Sequence, residues 1–182
     1  MIAYAKQNPG KLSNASSGNG SPGHVGFELM RSMAGLSVVH VPYKGGAAAI
    51  TELIAGQVHL MMESLNSIAP HARGGRVRAL GVTGVIRSSA LPDVPTIAES
   101  GVPGYEAITW NGLIAPAGTP RDIVRRLNGA INKILISASL KEKFALIGAD
   151  PQAASPEDFA ALIKRENVKW AEVIKKSGAK ID

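Results

Sequence analysis

At 182 residues the chain has room for one core of ordinary size or two small ones, and 45% hydrophobic residues with a mean hydropathy of +0.08 exclude compositional disorder. Cysteine is absent, which rules out disulfides, thiolate zinc sites and a cysteine nucleophile, and no apolar run approaches the ~20 residues of a membrane-spanning helix. The formal charge of +6 and the pI near 9.7 favour anionic partners, from small carboxylates to nucleic acid, although the basic residues are dispersed.

The start, Met1 to Lys6, has neither the charged leader nor the long apolar stretch of a secretion signal, so as written nothing exports the chain. Ile2 to Gln7 reads as a helix with no N-cap before it, as though the chain began in the middle of something. Strand patterns follow at Lys11 to Ser16, Ser37 to Val41, Leu60 to Glu63 and Val77 to Thr83, with helices between them at 23–34, 46–55 and 67–73. Such alternation predicts βαβ units around a mainly parallel sheet. Ser88 to Gly104 carries Pro92, Pro95 and Pro103 and reads as an irregular connection with a short helix at Thr96 to Ser100, after which a lobe boundary falls at 106/107.

Ala107 to Ala115 reads as a strand, and a second is expected around Asp150 to Ala153. Thr119-Pro-Arg-Asp122 and Ser155-Pro-Glu-Asp158 each predict a hydroxyl N-cap, proline at the first helical position and an acid near the helix's positive end. Leu140 to Ile147 is another amphipathic helix. The last helix carries Phe159, Leu162, Ile163, Trp170, Val173 and Ile174 on one stripe expected to be core, and Gly178 stands where a left-handed C-cap belongs. Three amphipathic helices with so little strand need a sheet the visible sequence does not supply.

The chemistry concentrates at Ala15-Ser-Ser-Gly-Asn-Gly-Ser-Pro-Gly-His24. Glycines 18, 20 and 23 permit unusual backbone angles and bare N–H groups, Ser16, Ser17 and Ser21 add hydroxyls, and Pro22 suits a first helical turn. A strand, a small-residue loop and a helix start together aim donors and a positive dipole end at one point, which should hold an anion. Pro42-Tyr-Lys-Gly-Gly46 and Glu63-Ser-Leu-Asn-Ser67 stand at the equivalent ends of the next strands, so the three loops should converge on one crevice.

Three chemistries compete for that loop. Gly18-x-Gly20-x-x-Gly23 matches the dinucleotide fingerprint of an NADP-dependent oxidoreductase, but the second strand ends in Val41-Pro-Tyr-Lys44 without an acid for the ribose. Ser21 near His24 suggests a nucleophile, yet Asn19-Gly-Ser-Pro-Gly23 misses the first glycine of a nucleophile elbow. Binding alone, with no catalysis and no cofactor, demands least and fits best. His24, His40, His59 and His71 lack the paired spacing of a metal site and read as packing or capping residues. Arg73, Arg76, Arg78 and Arg87 form the densest basic group without interleaved aromatics, which argues against nucleic acid. Met61-Met62 reads as buried strand, and Trp110 as either core or crevice wall.

Ser16-Ser-Gly-Asn-Gly-Ser21 with His24, His40-Val-Pro-Tyr-Lys-Gly45, Ile54-Ala-Gly-Gln-Val58, Ala90-Leu-Pro-Asp-Val-Pro-Thr96, Gly101-Val-Pro-Gly-Tyr105 and Ile114-Ala-Pro-Ala-Gly-Thr-Pro120 together resemble the Bug-type, TctC-like solute receptors of tripartite tricarboxylate transporters. The resemblance runs in order over essentially the whole chain. It implies a two-lobe α/β fold of the type II periplasmic-binding-protein kind, of which this chain supplies the second lobe, 1–106, and the C-terminal return segment of the first, 107–182. It further implies a periplasmic, non-enzymatic protein that catches a small organic anion, such as a di- or tricarboxylate, amino acid or aromatic acid, and delivers it to membrane permease subunits.

By that resemblance the ligand-binding residues are Ser16, Ser17, Gly18, Gly20, Ser21, Tyr43, Lys44, Gly45, Glu63 and Ser64. Family members also have a secretion signal and an N-terminal half-lobe, for which nothing here corresponds; the return segment is then left to expose apolar surface, pair with a second copy, or meet a complementing polypeptide. Many relatives have Asp-Asn where Glu63-Ser64 stands and proline at Asn66, and Lys44 is open between ligand, acid and solvent.

Overall fold

Ser13–Ser16 reads Ser-Asn-Ala-Ser, small enough for helices to close over both sides, and forms β1, the central strand of a parallel sheet of order β2-β1-β3. The structure is a computed structural model and describes residues 1–146 and 148–178. β2 (Val39–Pro42) sets His40 opposite Asn14, and β3 (Leu60–Met61) sets Leu60 opposite the same residue. Because β2 and β3 flank β1, the winding of the sheet reverses beside it, the place where open parallel sheets leave a crevice outside their strand ends. The expected parallel α/β arrangement is observed.

Alternation along β1 sends Asn14 and Ser16 to one face and Ser13 and Ala15 to the other. On Ala15's side, α3 (Gly46–Ile54) contributes Ala49, and Val58, Leu53 and Tyr43 pack around them. On the other side, α2 (Pro22–Ala34) brings Phe27 and Met30 against Leu36, Val102 and Tyr105, joined by Ala5 of α1 (Ile2–Gln7). Burying a side chain such as Phe27 or Leu36 contributes about 1.5–3 kcal/mol. As read from the sequence, α1 has no side-chain N-cap.

Two glycines let α2 lie close. A Cβ on Gly23 would stand 2.0 Å from the Met62 carbonyl oxygen, and one on Gly26 would stand 2.9 Å from Met62 Sδ. The phenol of the buried Tyr105 donates to the Gly26 carbonyl at 2.9 Å, and burial pushes its ionisation far above the ordinary tyrosine range. Met61 ends β3 and Met62 follows it, both half-buried. Helix α4 (Leu65–Arg73) completes the third βα step.

Several expected elements do not form. Val77 to Thr83 has the residues of a strand but gains one isolated parallel bridge, Val82 with Thr96, and among the described residues no neighbouring strand extends it into a ladder. Ala107 donates its N–H to Thr83 at 3.0 Å, after which the segment to Ala115 runs without a strand partner, with Leu113 and Ile114 76% and 86% exposed. Asp150 to Ala153 is likewise not a strand. Thr96 to Ser100 is one turn, closed by a reciprocal cap in which Glu99 accepts the Thr96 N–H at 2.7 Å and Thr96 Oγ1 accepts the Glu99 N–H at 3.0 Å.

The chain divides into two compact units, Met1–Ile108 with the residues from Ala171 onward, and Thr109–Trp170. In the second, α5 (Arg121–Leu135), α6 (Ala138–Leu146) and the start of α7 (Pro156–Ser177) are joined by loops. Ile147, the expected end of α6, lies outside the described residues. Ser155 caps α7 as read, accepting the Asp158 N–H at 3.0 Å while its own hydroxyl donates to Asp158 Oδ2 at 2.6 Å. The parallel expectation for Thr119 fails: its hydroxyl turns back to the Pro116 carbonyl at 2.8 Å, and Pro120 stands at the N-cap without a side-chain bond.

Trp110 packs edge-on against Phe159 with ring centroids 5.5 Å apart, and Phe159 covers Gly112, where a Cβ would come within 2.1 Å of Cζ. Asn128 and Asn132 both donate to the Ala154 carbonyl, tying α5 to the approach to α7. Helix α5 buries none of its residues, and Ile123, Leu127 and Ile134 are exposed. The stripe on α7 is core only in part, since Val173 is buried and Ile174 is exposed; Gly178 takes the left-handed conformation expected there, at φ +69°.

Candidate anion-binding site

All three strands being parallel, their carboxyl ends share one edge, and each opens into a loop that starts a helix. The first loop runs from Ser16 to Ser21. Ser21 is the N-cap of α2, its hydroxyl accepting the His24 N–H at 3.4 Å with Pro22 in the first turn. The second loop, Tyr43 to Gly45, is bonded to the first: Tyr43 N–H donates to the Ser16 carbonyl at 3.0 Å and Gly45 N–H to the Ser17 carbonyl at 3.2 Å. The third enters through Glu63, whose Oε2 would lie 2.9 Å from a Cβ on Gly46, a Cβ that would also stand 4.0 Å from Ser17 Cβ. Ser17, Gly46 and Glu63 therefore meet at one point.

The individual residues differ in what they have left to offer. Ser16 is fully buried and its hydroxyl serves the loop, donating to the Gly18 carbonyl at 3.1 Å and meeting His40 Nε2 at 2.7 Å. The N–H groups of Gly18, Gly20 and Ser21 are engaged within the loop, on Ser16 Oγ, His24 Nδ1 and the Gly18 carbonyl. Ser17 is half-buried, and its hydroxyl has no partner among the described residues. Tyr43 packs on the Ala15 cluster, while Lys44 is exposed and in no ion pair among the described residues. Gly45 adopts φ +105° ahead of α3, a position with no side-chain cap. Glu63 Oε1 accepts from both the Ser64 N–H at 2.8 Å and the Ser64 hydroxyl at 3.0 Å.

Beneath the first loop lies a polar layer that the sequence did not reveal as a unit. His24 and His40 stack with ring centroids 3.7 Å apart and planes within 5°. Burial holds both rings below the ordinary histidine value, and His24 adds to the effect on His40. Buried Glu28 pairs with Arg31 on the same helix, Nε to Oε2 at 2.9 Å. Asn14, buried at the centre of β1, leaves both side-chain polar atoms without partners among the described residues. Each histidine was legible alone as a packing or capping residue. Their meeting depends on the register of β1 against β2, for which one sequence carries no local signal.

Among the described residues there is no group of three or more His, Cys, Asp or Glu side chains placed to hold a metal, and no helix is long and apolar enough to cross a membrane. Glycine-serine loops at helix starts along one edge of a parallel sheet, over a layer of buried polar side chains, are the arrangement of an α/β binding module, and the fold matches part of the periplasmic binding proteins. It superposes on an R. palustris protein solved with adipate (TM-score 0.85, 40% identity, 98% of this chain and 60% of that one) and on the periplasmic binding protein BugD (TM-score 0.78, 34% identity, 98% and 60%). MatC from Rhodopseudomonas palustris with bound malate matches at a TM-score of 0.76 and 31% identity, over 95% of this chain and 60% of that one.

Residues 1–179 match the tripartite tricarboxylate transporter family receptor, TctC, and the chain belongs to that family of non-enzymatic solute-binding receptors. Protein BugT of Bordetella pertussis is 36% identical across 100% of this chain and 56% of its own length. A protein encoded in the tcbD-tcbE intergenic region of a Pseudomonas species is 42% identical across 96% of this chain and 52% of its own. The chain thus spans about half the length of the curated relatives it matches.

Proposed function

We propose that the chain supplies one wall of an extracytoplasmic receptor that captures a small organic carboxylate and hands it to the membrane permease subunits of a tripartite tricarboxylate transporter. The observation that carries this reading is the convergence of Ser17, Gly46 and Glu63 at the shared edge of three parallel strands, at the first residue of α3. A carboxylate there receives the Ser17 hydroxyl and the positive end of α3, with Ser16, Gly18, Gly20 and Ser21 shaping the neighbouring loop. Tyr43, Lys44 and Gly45 border it on one side and Glu63 and Ser64 on the other. Adipate and malate in structurally similar proteins support the ligand class, and the relatives described as periplasmic support that location.

The test is a thermal-shift titration of the purified chain with adipate and malate, since a ligand that binds only the folded state raises Tm with its concentration over Kd. A saturable shift that Ser17→Ala abolishes supports the reading. A cooperative melt that neither acid moves at millimolar concentration rejects binding by this chain.

A further inference from the structure

We propose that His24, stacked on His40, is a positioning residue for the first loop, holding Gly20 in its left-handed conformation only while its ring is uncharged. The inference rests on reading Ser16 to Ser21 as the ligand loop. Gly18 and Gly20 have φ of +137° and +73°, and each is tied to one ring. Gly20 N–H donates to His24 Nδ1 at 3.0 Å; Gly18 N–H reaches Ser16 Oγ at 3.3 Å, and that oxygen meets His40 Nε2 at 2.7 Å.

The proton inventory fixes the His24 tautomer. A backbone N–H can only donate, so Nδ1 of His24 is bare and its ring proton sits on Nε2. Ser16 Oγ, 3.1 Å from the Gly18 carbonyl and 2.7 Å from His40 Nε2, links the second ring to the same loop. A second proton on His24 must therefore enter at Nδ1, where it meets the Gly20 N–H head on and breaks that bond. If His40 charges as well, two cations stand with centroids 3.7 Å apart in a buried layer.

The surroundings do little to offset this. On α2, Glu28 favours the charged rings, but it is committed to Arg31, which opposes charge on His24. Strand β1 carries no titratable side chain, and β2 carries only His40 itself. Tyr105 faces α2 with its hydroxyl committed to Gly26, Lys6 of α1 is exposed, and Glu63 is held by Ser64 against Gly46. Both rings lie below the ordinary 6.5, chiefly through burial. Since the folded values are depressed, the stability contributed by the neutral pair is complete above pH 6.5 and declines as pH falls from there toward the folded values.

The deciding experiment is NMR of the isotope-labelled 182-residue chain without ligand, following the ring nitrogens of both histidines and the amides of Gly18 and Gly20 from about pH 8 to about pH 5. The expected result is a bare Nδ1 on His24 at the upper limit, a His24 midpoint below 6.5, and a Gly20 amide that moves with that midpoint. In the double variant His24→Asn with His40→Gln, which keeps polar atoms near Nδ1 and Nε2 but cannot charge, the Gly20 amide loses its pH dependence. A His24 ring that titrates while the Gly20 amide stays fixed overturns the proposal, as does a His24 midpoint at or above the ordinary value. The wild-type titration decides the matter if the variant does not fold. Because no ligand enters, this failure is separate from failure of the receptor reading, which the adipate shift at pH 8 judges alone.

Discussion

Glu63 stands over Gly46 so closely that a Cβ on the glycine would come within 2.9 Å of its Oε2. The protein thereby places its own carboxylate at the start of α3, where the helix dipole favours negative charge and no side chain serves as cap.

An acid in that position repels an incoming carboxylate. Glu63→Gln is expected to raise affinity for adipate by about three- to tenfold, the effect weakening with added salt because the site faces solvent. Isothermal titration at two ionic strengths measures both; unchanged affinity would mean the ligand carboxylate lies away from Glu63.

Gly23 and Gly129 make a matched pair on α2 and α5. Alanine at Gly23 meets the Met62 carbonyl at 2.0 Å, so Gly23→Ala is expected to lower stability by at least about 2 kcal/mol. Alanine at Gly129 meets nothing within 4 Å, and Gly129→Ala is expected to add about 0.5–1 kcal/mol through helix propensity. Urea unfolding of the two variants should move the midpoint in opposite directions.

Removing the phenol in Tyr105→Phe deletes the bond to the Gly26 carbonyl and should cost about 1 kcal/mol. In the wild type, alkaline absorbance titration should show one tyrosine that ionises only as the chain unfolds. A Tyr105 that titrates reversibly with exposed phenols would contradict its burial.

The cap of α7 should be visible in acid. Hydrogen bonds from the Ser155 hydroxyl and N–H keep the Asp158 carboxyl below its ordinary value of 3.8. With the folded value depressed, the cap's contribution is complete above that pH and is lost as pH falls through the folded value. Ser155→Ala is expected to lower stability by about 1 kcal/mol at neutral pH and by less in acid, as read by circular dichroism during thermal melts.

What the sequence disclosed was local. The start of α2 could be read from Ser21 and Pro22, and the start of α7 from Ser155 with Asp158, because cap chemistry lies within one turn. Thr119 carries the same letters, but its hydroxyl found the Pro116 carbonyl instead. Val77 to Thr83 and Ala107 to Ala115 have the side chains of strands, yet a strand exists only where a neighbour completes its ladder, and that neighbour is not encoded in the segment. The loops at Ser17 and Glu63 were legible as donors and acid near strand ends. The stack of His24 on His40 and the unpartnered Asn14 depend on strand register, which no window of the sequence contains.

The division of the chain at Ile108 also partitions its chromophores. Tyr4, Tyr43 and Tyr105 all lie in the unit that holds the sheet, and both tryptophans, Trp110 and Trp170, lie in the other. Tryptophan emission therefore comes entirely from the segment packed around Phe159 and the Glu166–Trp170 bond, and tyrosine ionisation is read entirely from the unit that holds the sheet. One unlabelled sample thus carries two independent optical channels, one for each unit.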